Sequence, residues 1–315
     1  MSENKTLQSV LKYFEKYLTM DGANEIIINQ PCIVEMDIKG KFETFEDKNL
    51  DLARLETFVS ILATSRGERF DKDNTQLNTS IPNTKYRVTA LHKRQLSGQD
   101  IQINIRIPPS TTFNLEDFKL SKNLNFTYEE IKQLVKDKHN ILISGGTGTG
   151  KTGLLNALLK EVDTKERLVF VQDSDEIMCE NRNKTSILVS KRDNAKYTYR
   201  HGIDSATRLS PERLLLGELD TRNTLYFLRL SNTGHKGGIS TVHANDVESC
   251  IDAISLNVQM EKQIDKNIIK EYIASAIDYI IQIQKNRETN EREIVDILNV
   301  KEYINKNKAN NGEKI

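Results

Sequence analysis

The sequence predicts an α/β protein with a mostly parallel, buried sheet, preceded by a smaller α+β domain. Three observations carry that expectation. Residues 145–152 read Gly-Gly-Thr-Gly-Thr-Gly-Lys-Thr, a complete G-x-x-x-x-G-K-T phosphate loop between the apolar run Ile141-Leu142-Ile143 and a helix-compatible run from Leu154 to Leu159. Downstream, continuous apolar runs alternate with helical stretches, as in strands buried on both faces. The length, 315 residues, fits two domains of about 100–200 residues each.

The elements follow in order. Leu7, Val10, Leu11, Phe14 and Leu18 recur at helical spacing and predict one amino-terminal helix packed on its own domain. Short strands come next at Glu25–Ile28 and Ile33–Met36, and Lys39-Gly40-Lys41-Phe42 turns into a third. A helix is expected from Leu52 to Ser65, then strands at Tyr86–Leu91 and Ile101–Ile107. This α+β domain spans residues 1–109. Residues 110–125 are polar and short on pattern, and read as a linker. From Phe126 on, a helix at Glu129–Lys136 precedes the strand at Ile141, and further strands are expected at Arg167–Val171, Leu214–Leu216, Gly238–Val242, Tyr279–Ile283 and Glu293–Ile297. The polar tail from Asn305 to Ile315 is expected to fray.

The loop states its own chemistry. Gly145, Gly146, Gly148 and Gly150 let the backbone turn tightly, so that successive N–H groups, those of Thr147 and Thr149 included, can point at one phosphate chain. The helix that opens at Gly150 adds its positive end. Lys151 is placed to reach the β- and γ-phosphates, and the Thr152 hydroxyl suits Mg²⁺. Gly153 is the local oddity, because glycine in a first helical turn costs about 0.5–1 kcal/mol relative to alanine. Three later stations say what happens to the nucleotide. Asp173-Ser174-Asp175-Glu176 follows a strand whose carboxyl end should face the phosphates, where a carboxylate can orient or deprotonate water. Leu214-Leu215-Leu216-Gly217-Glu218 reads as a buried strand delivering Glu218 toward Mg²⁺ or the water. His235 and His243 flank a strand and could sense the γ-phosphate through hydrogen bonds. Metal binding by them is disfavoured, since no third ligand stands at a suitable spacing.

Composition narrows the partners. Lysine plus arginine and aspartate plus glutamate both number 45, so the net charge is zero, which argues against a surface devoted to nucleic acid. No run of about 18 apolar residues predicts a membrane span, and the amino terminus has no apolar signal core. The three cysteines, Cys32, Cys179 and Cys250, are far apart and read as free thiols of a cytosolic protein.

Taken together, SGGTGTGKT, VQDSDEI, RLSPERLLLGEL and NTGHKGGISTVHAN, with NEIIINQP, KYRVTALH and INIRIPP upstream, resemble the secretion ATPase superfamily, most closely its type IV secretion traffic ATPase branch. The Gly-Gly-Ile form of the histidine segment favours that branch over pilus retraction motors, and the missing tetracysteine motif counts against the type II branch. The resemblance implies a RecA-like phosphate-loop core, a homohexamer, and ATP with Mg²⁺ bound between the two domains. It implies an ATP hydrolase that powers secretion or conjugation with other secretion-system components at the cytoplasmic face of the inner membrane. Carried over by position, Glu176 matches the acidic-box catalytic glutamate, Glu218 the Walker B glutamate and His243 the box histidine, with His235 before it. Arg87 and Arg106 match amino-terminal-domain arginines that reach the phosphates. Arg208 and Arg213 fit the segment before Walker B. Three positions depart from the pattern: Gln172 where the acidic box opens with glutamate, Asp220 where an arginine is usual, and Asn223 at an acidic place. A pilus motor, a nucleic-acid-stimulated motor and a weakly active ATP-binding assembly subunit remain open at this point.

Overall fold

The computed structural model describes residues 2–108, 112–191, 195–286, 288–289 and 291–310. It divides into two compact units: Met1–Thr111 with Asp173–Asp175 and Arg192–Lys196, and Thr112–Gln172 with Glu176–Lys191 and Tyr197–Ile315.

The first unit contains α1 (Ser2–Leu11), α2 (Glu15–Leu18), β1 (Ala23–Gln30), β2 (Ile33–Ile38), β3 (Lys41–Glu46), α3 (Leu52–Ser65), β4 (Gln76–Ser80), β5 (Arg87–His92) and β6 (Ile101–Arg106). Its six strands form one antiparallel sheet in the order β3-β2-β1-β6-β5-β4. Alternation decides which side is buried: Ile26, Ile28, Val34 and Met36 point inward and meet Leu55, Phe58, Val59 and Leu62 of α3. The Asp51 carboxylate accepts from the Arg54 N–H at 2.9 Å and caps α3, whose bounds match the expected ones. The single amino-terminal helix is corrected to two. The chain breaks between α1 and α2, and Phe14 turns in to pack on Phe58 at 4.6 Å between ring centroids, while the Tyr17 hydroxyl donates to Asp47 at 3.0 Å. Strand β4 has no counterpart in the sequence reading. Its Gln-Leu-Asn-Thr-Ser has one apolar residue, and it exists by pairing with β5.

The second unit contains β7 (Phe118–Leu120), α4 (Tyr128–Lys136), β8 (Ile141–Ser144), α5 (Lys151–Leu159), β9 (Leu168–Gln172), β10 (Lys184–Leu188), α6 (Tyr199–Thr207), β11 (Arg213–Leu216), α7 (Thr224–Asn232), β12 (Ile239–Val242), α8 (Val247–Glu261), α9 (Lys266–Ala276), β13 (Tyr279–Lys285), β14 (Arg292–Asn299) and α10 (Val300–Asn310). One sheet runs β10-β9-β11, all parallel; the other runs β12-β8-β13-β14-β7, parallel except for the antiparallel β13–β14 pair. The Leu219 N–H donates to the Thr241 carbonyl at 2.7 Å and ties the two sheets together at their carboxyl ends. Every residue of β8, β9, β11 and β12 is buried, and apolar clusters lie on both faces.

Two expectations are corrected here. Within the expected linker, the stretch 112–125 is not a plain connection: Leu115 and Phe118 are core residues, and β7 pairs with β14; residues 110–111 lie outside the described part. That pairing joins positions too far apart in sequence for local pattern to reveal. Residues 305–310 of the expected fraying tail belong to α10, where Ile304 buries the face just before them; residues 311–315 lie outside the described part. No helix among the described residues is long and apolar enough to cross a membrane.

Candidate functional site

The buried strand β8 delivers the glycine loop at its carboxyl end. Gly148 and Gly150 have φ of +74° and +99°, a left-handed backbone that suits glycine. Gly145 is glycine for a different reason: a Cβ there would lie 2.8 Å from the Ile283 carbonyl oxygen on β13. Thr147 and Gly148 are the exposed crest of the loop, and the Thr149 hydroxyl donates to the Gly146 carbonyl at 2.9 Å, closing the turn. Gly150 caps α5, which begins at Lys151.

Lys151 is 7 % exposed. Its ammonium donates to the Gly145 and Gly146 carbonyls at 2.9 and 3.0 Å and lies 3.0 Å from His243 Nδ1. Burial pushes its pKa down to about 8, with Glu218 pulling the other way. An ammonium has only donors, so Nδ1 accepts and Nε2 carries the imidazole proton. That proton points at Glu218 Oε1, 2.9 Å away. Burial, and then the Lys151 charge, hold His243 below its ordinary value, which suits this neutral tautomer. The other carboxylate oxygen of Glu218 takes Lys191 Nζ at 3.2 Å. The strand order explains the convergence, because β8, β11 and β12 all end on the same side.

Glu176 joins from β9. The Thr152 hydroxyl donates to its Oε2 at 3.3 Å, and Asn156 on α5 brackets it, donating to the Glu176 carbonyl at 3.1 Å and accepting from the Met178 N–H at 2.9 Å. Gln172, a departure by sequence pattern, has a positive role. Its Oε1 accepts from the N–H groups of both Glu176 and Ile177 at 3.1 Å, and its Nε2 donates to Ser186 Oγ at 2.9 Å. The amide uses its accepting and donating ends at once and shapes the turn that carries Glu176. Of the expected acidic run, Asp173 and Asp175 cluster with the first unit, where Asp175 Oδ1 is 2.7 Å from Lys85 Nζ and Asp173 Oδ2 is 3.7 Å from Arg87.

The remaining predicted residues fall elsewhere. Arg87 and Arg106 are directly opposite each other on β5 and β6 of the first unit. His235 is not brought to Lys151. It precedes β12, whereas His243 follows it, so the length of the strand separates them, and its buried Nδ1 has no hydrogen-bond partner among the described residues. Arg213 is a fully buried structural cation: Nε and Nη2 meet the Glu166 carboxylate at 2.8 and 3.0 Å, and its guanidinium fills the space beside Gly237. Arg208 C-caps α6. Gly153 is explained. A Cβ there would come within 3.0 Å of the Phe113 ring, so the missing side chain admits Phe113, whose face carries Arg292 4.5 Å from its centroid.

Sequence reading missed Lys191, Asn156, Phe113, Arg292 and Gln282. Gln282 left a signal: an amide inside the apolar run Ile280-Ile281-Gln282-Ile283. Its Nε2 donates to the Asn245 carbonyl at 3.0 Å and holds the loop that follows His243.

The carboxyl ends of β8, β11 and β12 thus converge on an arrangement suited to a phosphorylated ligand, which places the second unit among phosphate-loop nucleotide-binding proteins. The family model described as Type II/IV secretion system protein matches residues 51–311, and the chain belongs to that family. Among relatives, the Type IV secretion system protein VirB11 of Bartonella quintana (strain Toulouse) is 27% identical, covering 90% of this chain and 91% of its own. The conjugal transfer protein TrbB of Rhizobium radiobacter is 29% identical over 80% of this chain and 76% of its own. The chain therefore groups with the type IV secretion and conjugation ATPases of the family. The Legionella pneumophila ATPase DotB shares its fold, with a TM-score of 0.68 at 19% identity over 96% of this chain and 83% of that one.

Proposed function

We propose that this chain hydrolyses ATP to ADP and phosphate to power translocation or assembly in a type IV secretion or conjugation system. The observation that carries this reading is Lys151, a buried ammonium matched by two carbonyls and a neutral imidazole. A cation so placed, under a loop of glycine N–H groups, is completed by an anionic ligand. The loop from Gly145 to Thr152 would cradle the phosphate chain, and Lys151 would leave the Gly145 and Gly146 carbonyls for phosphate oxygens. That move releases His243 from Lys151 while its Nε2–H still holds Glu218, which makes His243 a γ-phosphate sensor.

The donors near the loop fit Mg²⁺: the Thr152 hydroxyl and the Glu218 carboxylate are hard oxygen ligands. Mg²⁺ bound there would neutralise charge on the transferring phosphoryl group. Glu176, held by Gln172 and Asn156, would orient and deprotonate the attacking water. The contacts of Gln172 favour an active site over a degenerate one. Arg87 and Arg106 would add phosphate-binding cations, guanidinium being suited to bidentate contact. His235 is left out of this set. Further parts of the proposal are a RecA-like core over residues 126–315, an α+β domain over residues 1–109, a homohexamer, and work beside other secretion components at the cytoplasmic face of the inner membrane. These rest on the resemblance and the family.

Phosphate release by the purified protein, with Glu218→Gln as control, tests the hydrolase. Wild-type release no faster than the variant would end the reading. Mass determination with and without ATP and Mg²⁺ tests the hexamer.

A further inference from the structure

Lys191 has no part in the reading so far, yet it touches Glu218. It lies just past β10, beyond the bridge that pairs Ser190 with Thr198. Its ammonium meets Glu218 Oε2 at 3.2 Å, while His243 occupies Oε1 at 2.9 Å. A carboxylate gripped at both oxygens by donors from two different elements cannot rotate about its terminal bond without losing one of them.

Lys191 is itself held in place. Arg222 Nη1 donates to the Lys191 carbonyl at 2.9 Å. The Arg222 guanidinium in turn donates to Asp220 from both Nε and Nη2, and the Arg222 N–H donates to Asp220 Oδ1 at 2.8 Å. The same turn returns to its start: Asn223 Nδ2 donates to the Glu218 carbonyl at 2.8 Å, and Asn223 Oδ1 accepts from the Asp220 N–H at 3.0 Å. The result is a closed ring of contacts, from Glu218 through the turn to Asp220, then Arg222, then Lys191, and back to the Glu218 carboxylate. Surface ion pairs of this exposure contribute little to stability on their own, so stabilising the fold is a weak account of four residues arranged in a ring around one carboxylate.

We propose that Lys191 is a positioning residue for Glu218, and that Asp220 and Arg222 act through it as the brace that holds it there. The inference rests on the ATPase reading above. It also gives Asp220 and Asn223, odd by sequence pattern, a shared purpose: Asp220 aims Arg222, and Asn223 pins the backbone of the residue being positioned.

The test compares steady-state phosphate release and fluorescent-ATP binding for wild type, Lys191→Met, Lys191→Arg, Arg222→Ala, the Lys191→Met/Arg222→Ala double variant and Glu218→Gln. Misplaced catalytic groups cost about 10- to 100-fold in rate. Lys191→Met is therefore expected to lower kcat by about that factor while KM and ATP affinity stay near wild type. Lys191→Arg restores most of the rate, because it keeps the charge. Arg222→Ala gives a smaller loss of the same kind, and the double variant is no slower than Lys191→Met, since the brace works only through the lysine. The inference is overturned if Lys191→Met turns over like wild type, if kcat and affinity collapse together, or if the two losses add. Wild-type release equal to that of Glu218→Gln takes down the ATPase reading and this inference with it, whereas an active wild type beside an unaffected Lys191→Met removes the inference alone.

Discussion

The two ends of β11 and β12 treat buried positive charge in opposite ways. At the amino end, Arg213 is matched at two points by Glu166, and Lys138 adds a third contact at 3.1 Å. Burial pushes the Glu166 carboxyl up, and Arg213 and Lys138 more than reverse it, so it stays ionised. At the carboxyl end, Lys151 is matched by carbonyls and an imidazole, and its nearest carboxylate link, Glu218, runs through His243. The first cation has its charge matched by a carboxylate of the protein, although its Nη1 finds no partner among the described residues. The second has no such direct match, and in the proposed function a phosphorylated ligand completes it; burial depresses its pKa. Burial alone therefore does not mark a functional charge; burial with no carboxylate of its own does.

The sharpest way to break this contrast is to remove each cation. Lys151→Ala should cut phosphate release about a thousandfold while leaving the melting temperature unchanged or raised, as read by thermal unfolding. A large loss of stability would erase the distinction from Arg213. Arg213→Met should lower stability by about 3 kcal/mol, because it strands Glu166 with only the half-exposed Lys138. Adding Glu166→Gln to it should recover part of the loss in urea unfolding.

The histidines that bracket β12 sharpen the same contrast at smaller scale. His243→Ala is expected to slow turnover about a hundredfold, and His235→Ala by less than about threefold, as for a group outside the chemistry. Equal losses would show that the amino end of the strand also takes part. A pH dependence follows from the Lys151 cation. In the free protein Lys151 loses its proton around pH 8 rather than near 10.5. ATP binding needs the ammonium, so above pH 8 binding takes up a proton, and affinity should fall by at most about tenfold per pH unit. Stability has the opposite sign. Between about 8 and 10.5 the unfolded chain holds more protons than the folded one, so folding becomes more favourable as pH rises. Titration calorimetry at several pH values reads the first effect, and a Lys151→Met variant should lack the second.

Much of the site was legible because its chemistry is written in local strings. The loop, Glu176, Glu218 and His243 each stand at the end of an apolar run, and parallel strands carry such ends to one side. The residues that brace them were not legible. Gln172 looked like a defect until the two N–H groups it accepts from were visible, and Lys191, Asp220 and Arg222 are ordinary charged residues until the chain folds them into a ring. Gly153 shows the same limit: its reason is Phe113, in a stretch that carried no pattern. In the first unit, the regular alternation of β1 and β2 and the capped α3 were readable, while β4 depends on its neighbour and was not.

The contact between Gly145 and the Ile283 carbonyl has a consequence for biosynthesis. Strand β8 lies between β12 and β13, both made later, and the loop after it rests against a backbone atom of the later of the two. A chain emerging from the ribosome carries the whole glycine motif long before it carries the walls that give the motif its shape. The packing that shapes the loop therefore arrives with β12 and β13 rather than with the motif itself.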